Sequence, residues 1–142
     1  MYAALRAMPI PDDVVTRLFH AASLLREHRG DGHIAALMIE GVGGLEAHVL
    51  LALDMGMPAE KFGRIHHLPA PQLALVIDGM RDHGLIGDDG WLSERGRGVK
   101  QGVEALTDDL AAKPYEILDR GELDELMATL EPLAGLLLAA LE

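Results

Sequence analysis

The 142-residue sequence contains no cysteine. Disulfides and thiolate metal sites are therefore excluded, and the absence fits a reducing compartment. Aromatic residues are only 4% against 49% hydrophobic residues overall, so Leu, Ala, Val and Met must fill the interior. That mix favours helices over a β-sandwich, whose strands draw on Val, Ile, Thr and aromatic side chains. Long hydrophobic runs are missing too. The longest, Pro132 to Leu141, falls well short of the roughly 20 residues that span a bilayer. Met1 to Pro11 holds one Arg and no apolar centre, so no secretory leader is expected. The expectation is a cytoplasmic chain with no membrane segment. Bases are scarce as well: 12 Lys and Arg stand against 23 Asp and Glu, a net charge of −11.

The acidity is uneven. From Glu104 to Glu142 ten acids face only Lys113 and Arg120, whereas the first 103 residues are close to balanced. A polyphosphate would be repelled by the chain as a whole, although a local basic face survives that argument.

What is present is helical periodicity. At this length the chain fits one domain, residues 1–142, in three parts: N-terminal helices over 11–56, a central segment over 58–92, and long helices over 93–142. Pro11, Asp12 and Asp13 suit a helix N-terminus, and Val15, Leu18, Phe19, Ala22 and Leu25 give one apolar stripe. Gly30 and Gly32 break that pattern, which predicts a second helix from about Asp31 to Glu40 that buries Ile34, Leu37 and Met38. A third helix carries Leu45, Val49 and Leu53 to a stop at Gly56.

Pro58 to Ile65 reads as a short helix, His66 to Pro69 as a turn, and Pro71 to His83 as a longer helix burying Leu73, Val76, Ile77 and Met80. Gly84 to Ser93 offers two short strands around an Asp-Gly turn, with Ser93 as the cap of the next helix. Val99, Val103, Leu106 and Leu110, then Leu123, Leu126, Leu130, Leu133 and Leu137, carry the spacing of helix-on-helix seams. Pro114 and Gly121 mark the bend between these two helices, and Pro132 predicts a kink or a fresh start in the last.

Asp78-Gly79-Met80-Arg81-Asp82-His83-Gly84-Leu85-Ile86 and Asp88-Asp89-Gly90-Trp91-Leu92-Ser93-Glu94-Arg95-Gly96 resemble the exit of a recognition helix and the return strand of MarR-type winged helix-turn-helix proteins. More narrowly, Leu24 to Leu37 resembles a stretch of actinobacterial proteins with a MarR-like C-terminal half, a group that brings no settled activity. The resemblance implies a mainly α winged helix-turn-helix with a small β-hairpin wing and long C-terminal dimerisation helices. It also implies a homodimer, a small hydrophobic or anionic ligand, and transcription regulation through DNA. Pro71 to His83 would be the reading helix and Leu85 to Leu92 the wing.

On that footing Gln72 and Arg81 are the DNA-facing side chains of the reading helix, and Arg95, Arg97 and Lys100 form a basic cluster at the return of the wing. The charge balance opposes them. Over residues 58–84 Lys61, Arg64 and Arg81 are matched by Glu60, Asp78 and Asp82, and the wing tip is Asp88-Asp89. The alternative is a winged helix that binds a small molecule or a protein partner and no DNA.

A second constellation is Arg26, His28, Arg29, Asp31 and His33, with His20 earlier and His48 one helix later. Such groups hold an anion, ligate a metal, act as an acid–base pair in an enzyme, or simply brace a corner with Asp31 as a cap. The spacing matches no metal motif, and no cofactor or catalytic residue is assigned. His66-His67 and Trp91 read as packing residues, and Met38, Met55, Met57 and Met80 as core or as an adaptable pocket wall. No phosphate-cradling loop, dinucleotide fingerprint or Ser-His-Asp arrangement is present.

Overall fold

In a computed structural model the described residues, 1–140, are mainly helical and contain no β-strand. Leu141 and Glu142, which close the apolar run and the acidic tail, lie outside them. The chain divides into two compact units, the second beginning at Ala112. No single helix among the described residues is long and apolar enough to cross a membrane.

In the first unit a short α1, Tyr2–Arg6, precedes α2, Val14–Ile39. The Asp13 carboxylate caps α2, accepting the Thr16 amide at 2.8 Å and its hydroxyl at 2.9 Å. The helix then runs straight through Gly30 and Gly32, where two helices were expected. Each glycine costs about 1 kcal/mol against Ala, too little to break a helix that is held elsewhere. At Gly32 the missing side chain is used: a Cβ there would stand 3.2 Å from the Cβ of Leu110.

The packed face of α2 is also not the one the periodicity favoured. Ala36 is fully buried, and Gly32 and His33 meet Leu110 and Thr107 of the later helix. Val15, Leu18, Phe19, Ile34 and Met38 stay exposed in this chain. Small residues admit a close helix approach, and that outweighs the bulkier stripe.

Helix α3, Gly44–Asp54, buries Val49, Leu50, Ala52 and Leu53. The helix expected over Pro58 to Ile65 shrinks to a 3-10 turn at Ala59–Lys61, followed by turns to Leu68. Eight residues with Pro58 in front and Gly63 inside offer too few bonds to repay nucleation. Ile65, only 1% exposed, anchors the segment instead. Helix α4, Ala70–Asp82, follows the reading: Leu73 and Met80 are buried, and Val76 and Ile77 partly so. It closes at Gly84 (φ +71°), with the Leu85 amide donating to the Met80 carbonyl at 2.8 Å.

The expected β-hairpin wing does not form. Instead of two strands there is a single antiparallel bridge, Ile86 to Leu92, flanked by Gly87 N–H to Trp91 O at 2.9 Å and Ser93 N–H to Leu85 O at 3.0 Å. Gly84 ends α4 and Ser93 already caps α5, Glu94–Ala112, so each arm has room for one paired residue. The Ser93 hydroxyl accepts the Gly96 amide at 2.9 Å and donates to the Gly84 carbonyl at 2.6 Å. Val42, Val49, Leu50, Ile65, Met80, Ile86 and Leu92 belong to one core under α3, α4 and the bridge.

The second unit has a 3-10 turn at Lys113–Tyr115 and α6, Arg120–Ala139. Asp119 and Glu122 form a reciprocal capping box with both bonds at 2.9 Å. Pro132 lies inside α6, which does not restart there. Leu126, Leu130, Leu133 and Leu137 are exposed along it, between 36% and 61%.

Candidate functional site

The residues expected to face DNA are placed apart. Gln72 is exposed near the start of α4. Arg81 donates to Asp78 on its own helix at 2.8 Å. Arg97 reaches back to the Leu92 carbonyl at 2.6 Å, bracing the bridge from α5. Lys100 is nearly buried, with its ammonium 2.6 Å from Glu104 and 3.9 Å from Asp54. Arg95 is exposed and joins no ion pair among the described residues. The basic cluster at the wing's return is thus one free guanidinium and two engaged cations.

The histidine constellation opens out rather than converging. The Arg26 guanidinium pairs with Glu27, and Arg29 reaches Glu104 at 3.4 Å and Asp108 at 3.5 Å. Asp31 caps no new helix; its carboxylate accepts the Tyr2 amide at 3.3 Å. The His28 ring meets the Leu110 carbonyl at 3.2 Å, and the His33 ring meets the Thr107 hydroxyl at 3.0 Å. No group of three metal-ligating side chains comes together among the described residues.

Two members do share a cavity. A pocket of about 290 Å³ lies between α2, α3 and α5, with Ile34, Leu37, Ala47, Leu50 and Val103 among its apolar walls. His33, His48, Arg64, Lys100 and Glu104 supply its polar groups. The His48 ring stands edge-on to Phe62, with centroids 6.3 Å apart.

The hydrogen bonds fix much of the chemistry. Thr107 is fully buried, and its single proton goes to the Val103 carbonyl at 2.6 Å. It therefore accepts from Nδ1–H of His33. Lys100 and Glu104 offset one another, and the Lys100 hydrogen bond holds the Glu104 carboxyl below its ordinary range. Arg64 joins no ion pair among the described residues, so the pocket carries about one uncompensated positive charge. An apolar cavity with a guanidinium and two imidazoles on its wall suits a small molecule bearing an acid.

Sequence reasoning found His33 and His48 but missed Arg64, Thr107 and Glu104. Thr107, four residues after Val103 on the packed side of α5, was the available signal: a polar side chain beside an apolar seam. Arg64 gave none, because its place depends on the turns that replace the expected helix.

A second, open groove of about 370 Å³ separates the 3-10 turn from α4; Glu60, Leu68, Ala74, Ile77, Asp78 and Arg81 are among its lining residues.

A family described as a helix-turn-helix family matches residues 1–141. No curated protein matches the chain, and no solved structure does.

Proposed function

The chain belongs to this helix-turn-helix family, and from that premise we propose that it is a ligand-responsive transcriptional regulator of MarR-like type. In this reading it is a homodimer, it contacts DNA through Gln72 of α4 and through Arg95, with Arg97 and Lys100 behind it, and a small apolar acid in the inner pocket controls it. One observation carries the reading. The pocket wall includes Arg64, in the turns that lead directly into α4. A ligand that draws Arg64 inward biases the placement of the reading helix, and it shifts the equilibrium by its differential affinity for the two placements. The exposed leucines of α6 support the dimer, since such a seam is stabilised by burial against a like helix.

The test is fluorescence anisotropy with a random duplex at rising salt. Binding that weakens steeply with salt, and is reduced by Arg95→Ala with Arg97→Ala, is expected. No binding even at the lowest salt ends the DNA part of the reading. For the pocket, aromatic carboxylates should raise the melting temperature, and Arg64→Gln should abolish the rise. No shift with any aromatic acid ends the ligand part.

A second reading is favoured by the ion pairs themselves. Asp78 neutralises Arg81 and Glu104 neutralises Lys100, which removes two of the four cations that the sequence places on the DNA face, Arg81, Arg95, Arg97 and Lys100. The fold would then hold a ligand or a protein partner without DNA. An enzyme built on His28, Asp31 and His33 draws no support from the geometry, because the two rings lie on separate partners of α5 and Asp31 points to Tyr2.

A further inference from the structure

We infer that the groove between the 3-10 turn and α4 docks a cationic, amphipathic helix of a protein partner. Its α4 wall is one helical stripe, Ala70, Ala74, Ile77 and Arg81, spaced four, three and four residues apart. At 1.5 Å per residue that stripe is about 16 Å long, roughly three turns, over which an incoming helix presents anchors at i, i+3 or i+4, i+7 and i+11. Ile65, Leu68 and Leu73 make the floor apolar, and the two alanines lower one wall so that a helix backbone comes close.

The rim sets the sign of the partner. Glu60 stands on one side and pairs with no cation among the described residues. Asp78 stands on the other, but Arg81 is held to it at 2.8 Å, so these two offset one another and Glu60 alone sets the sign of the rim. A second copy of the chain is a poor occupant. The exposed leucines of α6 are flanked by Glu122, Asp124, Glu125 and Glu131, which would meet the unpaired Glu60 with like charge.

This groove is independent of the proposed DNA contacts. Gln72 falls roughly half a turn around α4 from the centre of the groove stripe, so a partner in the groove leaves that face open.

The experiment titrates the full chain with fluorescein-labelled Lys/Leu amphipathic helical peptide. A Glu/Leu peptide of the same pattern and a scrambled Lys/Leu peptide of the same charge serve as controls. The Lys/Leu helix should bind at least tenfold more tightly than either control. Ala74→Arg, which fills the groove, and Glu60→Lys, which lies on the surface and leaves the core untouched, should each weaken it at least fivefold with unchanged helicity. Equal binding of the scrambled peptide, no binding of any peptide, or full binding by Glu60→Lys would overturn the inference. A change of sedimentation mass in Ala74→Arg would assign the groove to a second copy instead. Loss of duplex binding in Ala74→Arg, with peptide binding retained, would assign it to nucleic acid; both outcomes also overturn it.

Discussion

A Cβ built on Gly96 would lie 2.1 Å from the carbonyl oxygen of Leu85. The first turn of α5 therefore rests directly on the backbone that leaves α4, and only a residue without a side chain fits. The same carbonyl receives the Ser93 amide at 3.0 Å, so it has little freedom to move away. Gly96→Ala should cost about 3 kcal/mol, at the upper end for overpacking, because backbone must shift rather than a side chain. Urea unfolding followed by circular dichroism measures this. A midpoint equal to the parent's would show that α5 does not cross Leu85 as described.

Gly30 presents the opposite case. It sits inside α2 with nothing within 4 Å of a would-be Cβ, so Gly30→Ala should stabilise the chain by about 0.5–1 kcal/mol through helix propensity alone. Gly32→Ala, pressed at 3.2 Å by Leu110, should gain less or lose. The ranking of the two midpoints checks whether α2 is one helix. A chain broken at these glycines would lose stability from both substitutions.

These two glycines also show what was legible beforehand. The helices α3, α4 and α5, the buried side of α4 and the Ser93 cap could be read from spacing and cap chemistry, which are local; the helix expected over Pro58 to Ile65 and the hairpin expected after α4 are absent. Gly32 could not. Its meaning depends on Leu110, seventy-eight positions away in the sequence, and locally a glycine reads as a stop. The same holds for the site. His33 and His48 stood out as chemistry-bearing residues, but their grouping with Arg64 and Glu104 follows from how α2, α3 and α5 pack. The cations of the expected DNA face were visible, and two carboxylate partners stood one turn away, Asp78 from Arg81 and Glu104 from Lys100; Asp54 beside Lys100 was not legible.

Acid should weaken the first unit through Glu104. Lys100 hydrogen-bonds its carboxyl and, with His33 and Arg29 nearby, depresses its pKa below the ordinary value of 4.5. A carboxyl with a depressed folded value contributes stability that is present above its unfolded pKa and is lost as pH falls through the folded one. Stability should therefore decline as pH drops below about 4.5, and Glu104→Gln should flatten part of that limb. Because Glu104 is more than one third exposed, solvent screening keeps the effect small. Parallel acid limbs in parent and variant would remove Glu104 from the account.

Thr107→Val tests the bond that orients His33. The substitution keeps the volume but leaves Nδ1–H of the ring without its acceptor, which should cost about 1–3 kcal/mol. It should also weaken any aromatic acid in the pocket, since the ring is then free to turn Nε2 away. Nuclear magnetic resonance of the His33 ring nitrogens reads the tautomer directly. A predominantly Nε2-protonated His33 in the parent chain would contradict the assigned bond.

The seam on α6 carries the last prediction. Leu126, Leu130, Leu133 and Leu137 repeat every four and three residues, and each stays more than one third exposed in the single chain. Burying one fully exposed leucine is worth about 1.5–3 kcal/mol, and the proposed dimer would draw on the still-exposed part of four such side chains on each copy. Acids at 122, 124, 125 and 131 lie off this spacing, which leaves the seam itself without like charges. Leu130→Asp with Leu133→Asp puts two carboxylates into it and should convert a dimer into a monomer in sedimentation equilibrium, while the thermal unfolding of the first unit persists. A parent chain that is monomeric at every concentration would show that these leucines serve some other contact.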